Sequence, residues 1–202
     1  MTKVQKLYSI MNSSWYNQFK SVWNRLVAKE AEEQLADFLK KNVNKDTDVL
    51  DLGCGTALNL KKILKENIKF KSYTGMDFSQ DMLNIARNNF KDATFIRQDI
   101  RNLNSKKYDI IICTWVLSHL PEPAGTVNKA QKKLKLNGKM FLTFLSRPKW
   151  YVRCWFNPLA KYVFQSRYVL DEEVKQFKNV RKKNSFSADI TTVVHIGRKG
   201  YE

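Results

Sequence analysis

The chain has 202 residues, of which 36 are Lys or Arg and 19 are Asp or Glu, for a formal net charge of +17. That length suits one doubly wound α/β domain and little more. Its three cysteines, Cys54, Cys113 and Cys154, form no Cys-x-x-Cys pair, which argues against a disulfide framework or a metal site and makes a reducing cytoplasm the expected compartment. Residues 1–14 are polar and lack the apolar core of a signal peptide, and no run approaches the roughly 20 apolar residues of a membrane span.

The positive charge points to nucleic acid, an anionic membrane surface, an acidic substrate, or simply a solvated lysine-rich exterior. It is spread along the chain: residues 1–45 carry 8 basic and 4 acidic residues, 46–145 carry 16 and 10, and 146–202 carry 12 and 5. No Gly-, Pro- or Ser-rich linker divides the chain. Four stretches of one domain are expected: a helical cap (1–45), a core (46–145), an aromatic and basic insertion (146–170), and a closing helix and hairpin (171–202).

In chain order, residues 15–42 read as an amphipathic helix, with Phe19, Val22, Trp23, Leu26, Val27, Leu35, Phe38 and Leu39 at helical spacing. Next comes Val49-Leu50-Asp51-Leu52-Gly53-Cys54-Gly55-Thr56-Ala57, a strand ending in an acid, two glycines one residue apart, and the start of a helix. Glycines tolerate positive φ and let a ligand approach bare backbone in a strand-to-helix turn. A dinucleotide fingerprint would place a third glycine where Leu58 stands, and no Gly-Lys-Ser/Thr of a P-loop follows. Asp51 would repel phosphate and attract an ammonium group. A ligand with an adenosine end and a cationic, phosphate-free tail fits better, and S-adenosyl-L-methionine is such a ligand.

Four further landmarks follow. The second is Tyr73-Thr74-Gly75-Met76-Asp77-Phe78-Ser79, with Met82 three residues on, and the third is Ala93 to Ile100, containing Asp99. The fourth runs from Tyr108 through Thr114 and Trp115 to His119 and Leu120. The fifth runs from Leu134 to Leu142, with Gly138 as the expected turn residue. The expected crossover helices are Lys61 to Glu66, Gln80 to Phe90 and Thr126 to Leu136. Alternating strands and helices imply a parallel sheet with right-handed crossovers. Val180 to Ser187 and Asp189 to Gly197 read as two strands joined by a tight turn.

With these five landmarks in order, the chain resembles the class I S-adenosylmethionine-dependent methyltransferases. The family's acid-x-Gly-x-Gly is matched by Asp51 to Gly55, and a frequent third glycine is replaced by Ala57. The resemblance implies a Rossmann-like seven-stranded sheet in the order 3-2-1-4-5-7-6 with strand 7 antiparallel. It implies that Asp77 receives the ribose hydroxyls and Phe78 lies against adenine, while Asp99 receives the adenine amino group and Ile100 packs on the ring. Cys54, Met82, Thr114 and Trp115 complete the implied cofactor set.

The acceptor side of such a site must lie above strands 4 and 5. The insertion from Ser146 to Tyr168 interleaves Trp, Tyr and Phe with Arg and Lys. It reads as a lid over an apolar acceptor, as core packing, or as an interfacial helix on lipid headgroups. The N-terminal stretch Leu7 to Tyr16 is similar to the start of the ubiquinone/menaquinone and phospholipid methyltransferases. Tyr8, Tyr16, Trp150 and Trp155 are the candidate acceptor contacts, and His119 is the candidate proton acceptor. His195, in the last strand, reads as structural.

A small-molecule acceptor with an apolar or aromatic body is expected: a quinone precursor, an aromatic acid or a lipid. Thr114 to Leu120 lacks the Asn/Asp-Pro-Pro-Tyr/Phe pattern of base-amino methyltransferases, and Cys113 is not preceded by proline. An RNA methyltransferase and a non-catalytic S-adenosylmethionine-binding protein are the competing readings. The expected particle is a cytoplasmic monomer or homodimer, with an anionic membrane surface as a further partner.

Overall fold

A hydrophobic run that is buried on both sides must be a central strand of a covered parallel sheet. The strand β1 (Asp48–Leu52) is buried at all five positions, with Val49, Leu50 and Leu52 as its apolar residues. In the computed structural model, which describes residues 27–103, 105–163 and 165–198, β1 lies between β2 (Ser72–Asp77) and β4 (Tyr108–Thr114). With β3 (Thr94–Arg97), β5 (Leu134–Leu145), β6 (Val180–Phe186) and β7 (Thr191–Gly197), the sheet order is β3-β2-β1-β4-β5-β7-β6. β1 to β5 are parallel, and β7 runs antiparallel to both β5 and β6. This is the order and polarity that the resemblance implies.

Helices cover both faces. On one face α1 (Lys29–Asn42) buries Ala31, Leu35, Phe38 and Leu39, and α2 (Leu58–Lys65) buries Leu60 and Ile63. These pack with Val49, Ile110, Ile112 and Phe141 of the sheet. α3 (Gln80–Asn89) joins the same layer through Leu83 and Ala86. On the other face α4 (Pro123–Gln131) contributes Val127 and Ala130 to a core with Leu50, Met76, Ile111, Leu142 and Phe144. Glu30 and Glu32 open α1 and Lys40 and Lys41 close it, matching the sign of the helix dipole at each end.

Several expected boundaries shift, each for a local reason. No single helix runs unbroken over 15–42. Residues 15–26 lie outside the described residues, and residues 27 and 28 form a turn and bend before α1. There the Val27 carbonyl accepts hydrogen bonds from the Ser187 and Thr191 hydroxyls, which ties it to the β6–β7 hairpin. α2 begins at Leu58, a turn earlier than expected, because Ala57 closes the glycine turn in the left-handed region. α4 starts on Pro123, whose fixed φ suits a first turn, and ends at Gln131. Leu134 already pairs with Tyr108, so the strand begins where the helix was expected to continue.

Gly138 is not the left-handed residue of this turn; Asn137 is, at φ +59. Gly138 is needed for space instead, since a Cβ there would lie 2.9 Å from the Lys135 carbonyl and 3.1 Å from that of Asp109. The closing hairpin turns through Ser187, Ala188 and Asp189, all at positive φ.

The insertion folds as α5 (Trp150–Pro158) followed by one π-helical turn (Leu159–Val163), with Ser146 bridged in parallel to Val169. A short α6 (Asp171–Val174) leads into β6. Val152, Phe156 and Ala160 of the insertion face inward onto Leu145 and Ile190.

Candidate functional site

The carboxyl ends of β1 to β4 open onto one cavity of about 650 Å³, within the usual range for small-molecule sites. Its floor is the turn after β1. The N–H groups of Gly53 and Cys54 both donate to the Met76 carbonyl, at 2.7 and 3.1 Å, which folds the turn back over β2. Gly53 has φ +70, and a Cβ on it would lie 2.2 Å from Val116 Cγ2, so both backbone angle and space demand glycine. Gly55 has φ +53 and nothing within 4 Å of where its Cβ would be; its bare face is part of the cavity wall.

Ala57 takes the third left-handed position at φ 63. An L-residue there loses about 1–2 kcal/mol, and burying the alanine methyl completely recovers about 0.8 kcal/mol of that.

Asp77 ends β2 beside this turn. Its two carboxylate oxygens accept the N–H of Gly55 at 2.9 Å and that of Ser79 at 2.8 Å. Burial pushes its pKa up, and the N–H groups of Ser79, Gly55 and Phe78 oppose that rise. Ser79 Oγ then caps α3 by accepting the Met82 N–H. Phe78, Met82 and Ile100 form an apolar patch on the same side of the cavity, with Asp99 at its rim. Arg101 donates to both oxygens of Asp99 and holds that carboxyl below the usual carboxylate range.

Asp51 sits beneath the floor. It is fully buried, absent from the cavity wall, and bonded by the Tyr73 hydroxyl and by Asn59 Nδ2 at 3.2 and 3.1 Å. Burial raises its pKa to about 6 against the hydrogen bonds from Tyr73 and Asn59. Asp51 therefore connects to the cavity through Asn59 rather than through a place in its wall. Asn59 Nδ2 also bonds Thr114 Oγ1 at 3.1 Å, and both Asn59 and Thr114 line the cavity. Asn59 escaped the sequence reading; its signal was an amide on the first turn of the helix after the glycine turn. Cys54 lines the cavity as well, and burial followed by the Asp51 and Asp77 charges drives its thiol pKa upward.

The other half of the cavity comes from the segment after β4. Trp115 has φ 66 and donates its N–H to the Thr143 carbonyl at 2.7 Å. Its side chain packs with the α5 cluster as well as lining the cavity. One 3-10 turn, Leu117–His119, is tied down where Ser118 Oγ accepts the Leu145 N–H at 2.9 Å. His119 lines the cavity with Val116, Leu120 and Pro121. Burial lowers its pKa below 6.5, opposed by a hydrogen bond to the Gln165 backbone.

The structure thus brings Gly53, Cys54, Gly55, Asp77, Phe78, Met82, Asp99, Ile100, Thr114, Trp115 and His119 onto one cavity. Trp150 and Trp155 do not line it: they stand 76% and 58% exposed on the outer side of α5. Tyr8 and Tyr16 lie outside the described residues. His195 packs edge-on against Phe38 and Phe141 and does not line this cavity.

A family model described as a methyltransferase domain matches residues 50–140. The chain is 30% identical over 106 residues to a ubiquinone biosynthesis O-methyltransferase of Hydrogenovibrio crunogenus, covering 49% of this chain and 43% of that protein. It is 29% identical over 146 residues to a malonyl-[acyl-carrier protein] O-methyltransferase of Acetivibrio thermocellus, covering 70% and 50%. The aligned parts are half or less of those relatives' lengths. Among solved structures, an S-adenosylmethionine-dependent methyltransferase from Clostridium acetobutylicum superposes with a TM-score of 0.68 at 18% identity, covering 92% of this chain and 99% of that one.

Proposed function

We propose that the chain, whose residues 50–140 match a methyltransferase-domain model, is a class I S-adenosylmethionine-dependent methyltransferase that transfers the methyl group of S-adenosylmethionine to an oxygen of a small-molecule acceptor. The observation that carries this reading is the Asp77 carboxylate, held by the N–H groups of Gly55 and Ser79 beside the bare backbone of Gly55. The two N–H donors leave acceptor capacity on each carboxylate oxygen, which suits a pair of ribose hydroxyls. Phe78, Met82 and Ile100 offer an apolar face for a purine, and Asp99 an acceptor at its edge. Asn59 and Thr114 face the methionine end, with Asp51 orienting Asn59 from below.

S-adenosylmethionine supplies a methyl carbon on a sulfonium, a leaving group that needs no further activation. The chain's own task is to hold the acceptor in line and keep water out. The walls formed by Trp115, Val116, Leu120 and Pro121 suit an apolar or aromatic acceptor body. Both relatives named above are O-methyltransferases by name. A hydroxyl acceptor must lose a proton, whereas a carboxylate arrives without one. His119, kept neutral by its burial, is the proton acceptor for a hydroxyl.

Calorimetry with S-adenosylmethionine on the wild type and Asp77→Ala tests the binding half. Incubation of the protein with a labelled methyl donor and a metabolite extract tests the transfer half. Saturable binding that Asp77→Ala weakens, together with label appearing in an O-methylated product, supports the reading. No binding by the wild type overturns it, and binding without labelled product reduces it to a cofactor-binding protein.

A further inference from the structure

From the structure we infer that the outer face of α5 is a docking surface for an anionic lipid bilayer. Residues 146–170 contain five cations (Arg147, Lys149, Arg153, Lys161, Arg167) and no Asp or Glu. The segment's apolar side chains divide between two faces. Val152, Phe156 and Ala160, at helical spacing, are buried against Leu145 and Ile190. On the opposite side Trp150, Tyr151, Trp155 and Tyr162 are 76%, 51%, 58% and 71% exposed. Core packing therefore accounts for one face and leaves four large aromatics in solvent on the other. Trp150 and Tyr151 pack ring to ring at 5.9 Å and Trp155 lies one turn on from Tyr151, so exposed aromatic surface is grouped along α5, as at interaction sites.

The chemistry of that face selects the partner. Phe156 is inside while Trp and Tyr are outside, the division expected where a ring's apolar body enters an interface and its N–H or O–H stays with water. Lys149 and Lys161 are exposed beside them, and Lys161 Nζ lies 5.2 Å from the Tyr162 ring centroid. Long cationic side chains flanking an aromatic face match anionic headgroups above an acyl boundary. Single-stranded nucleic acid is bound instead along a charged groove, with its bases stacked on rings inside it. Here the rings stand exposed along a short helix and do not line the cavity described above. Among the described residues no helix is long and apolar enough to cross a membrane. The surface is independent of the methyl-transfer reading, although Trp115 joins the two by packing on the α5 cluster from inside the cavity.

The test is co-sedimentation of the full chain with phosphatidylcholine vesicles, with and without phosphatidylglycerol, for wild type, Trp150→Ser/Trp155→Ser and Lys149→Gln/Lys161→Gln. Thermal melts of each protein confirm that the variants are folded. The wild type should partition onto the anionic vesicles alone, weakening as salt is raised. Removing the Trp pair should weaken partitioning by about tenfold or more, and each removed Lys by about fivefold. Failure of the wild type to bind anionic vesicles, or equal binding by the folded Trp variant, overturns the inference. So does wild-type binding to structured RNA but to neither vesicle, which would assign the face to nucleic acid.

Discussion

The Asp77 carboxylate at the end of β2 accepts the N–H of Gly55, 22 positions earlier in the chain, at 2.9 Å. One side chain therefore fixes the glycine turn and, in the proposed function, also binds the ligand. Asp77→Ala leaves the Gly55 and Ser79 N–H groups without that acceptor, at a cost of about 1–3 kcal/mol in stability. The same variant should lose at least about tenfold in affinity for S-adenosylmethionine, the equivalent of one hydrogen bond. Denaturant unfolding and calorimetry measure the two effects separately; Asp77→Asn, which keeps one carbonyl oxygen, should fall between.

Gly53 is the position least able to change. Gly53→Ala combines positive-φ strain of about 1–2 kcal/mol with overpacking against Val116, for which about 1–3 kcal/mol is typical. Val116→Ala makes room for the methyl and leaves the backbone strain. In a double-mutant cycle, Gly53→Ala should therefore be milder in the Val116→Ala background by about 1 kcal/mol or more, yet still destabilising. Additive effects would show that the turn relaxes away from Val116.

Asp51 gives the stability a pH dependence of defined sign. Its pKa rises from 3.8 to about 6 on folding, with burial the largest cause. The fold favours the protonated acid, so this contribution is fully present below pH 3.8 and is lost by about pH 6. The span corresponds to roughly 3 kcal/mol. Asp77, also raised by burial, acts in the same direction. The stability of the wild type relative to Asp51→Asn should therefore fall as pH rises through this window and stay level above it. Denaturant titrations at several pH values measure the difference, and a level difference throughout would mean that Asp51 stays ionised.

His119→Ala should slow methyl transfer to a hydroxyl acceptor by about 10²-fold or more while leaving S-adenosylmethionine affinity unchanged. Because burial lowers the imidazole pKa, the acid limb of the wild-type rate should lie below pH 6.5. A His119→Ala enzyme with the wild-type rate and pH profile would remove the residue from the reaction.

Burial also decides cysteine reactivity. Cys54 and Cys113 are buried with thiol pKa values pushed up, and Cys154 is exposed. Alkylation of the folded protein, read by peptide mass spectrometry, should modify Cys154 alone and both others only after unfolding.

The core of the site was legible in the chain because its signals are local. A strand that ends in an acid, a turn that needs positive φ, and a second acid one βαβ unit later are all set by short-range sterics and hydrogen bonding. Gly53, Gly55 and Asp77 reach the cavity for those reasons, and the alternation of elements determines the parallel sheet that carries them. Only the tertiary structure decided where polar and aromatic side chains point. Asp51 is local to the turn, but Tyr73 and Asn59 draw it beneath the floor, and its contacts come from 22 and 8 positions away. Interleaved aromatic and basic residues mark the insertion in the sequence, yet which of its side chains found a neighbour depended on Leu145 and Ile190, brought beside it by the β5–β7 pairing. Burial of Phe156 and exposure of Trp150 and Trp155 are consequences of that docking. The chain's sequence specifies an apolar face, and the packing of distant strands chooses what covers it.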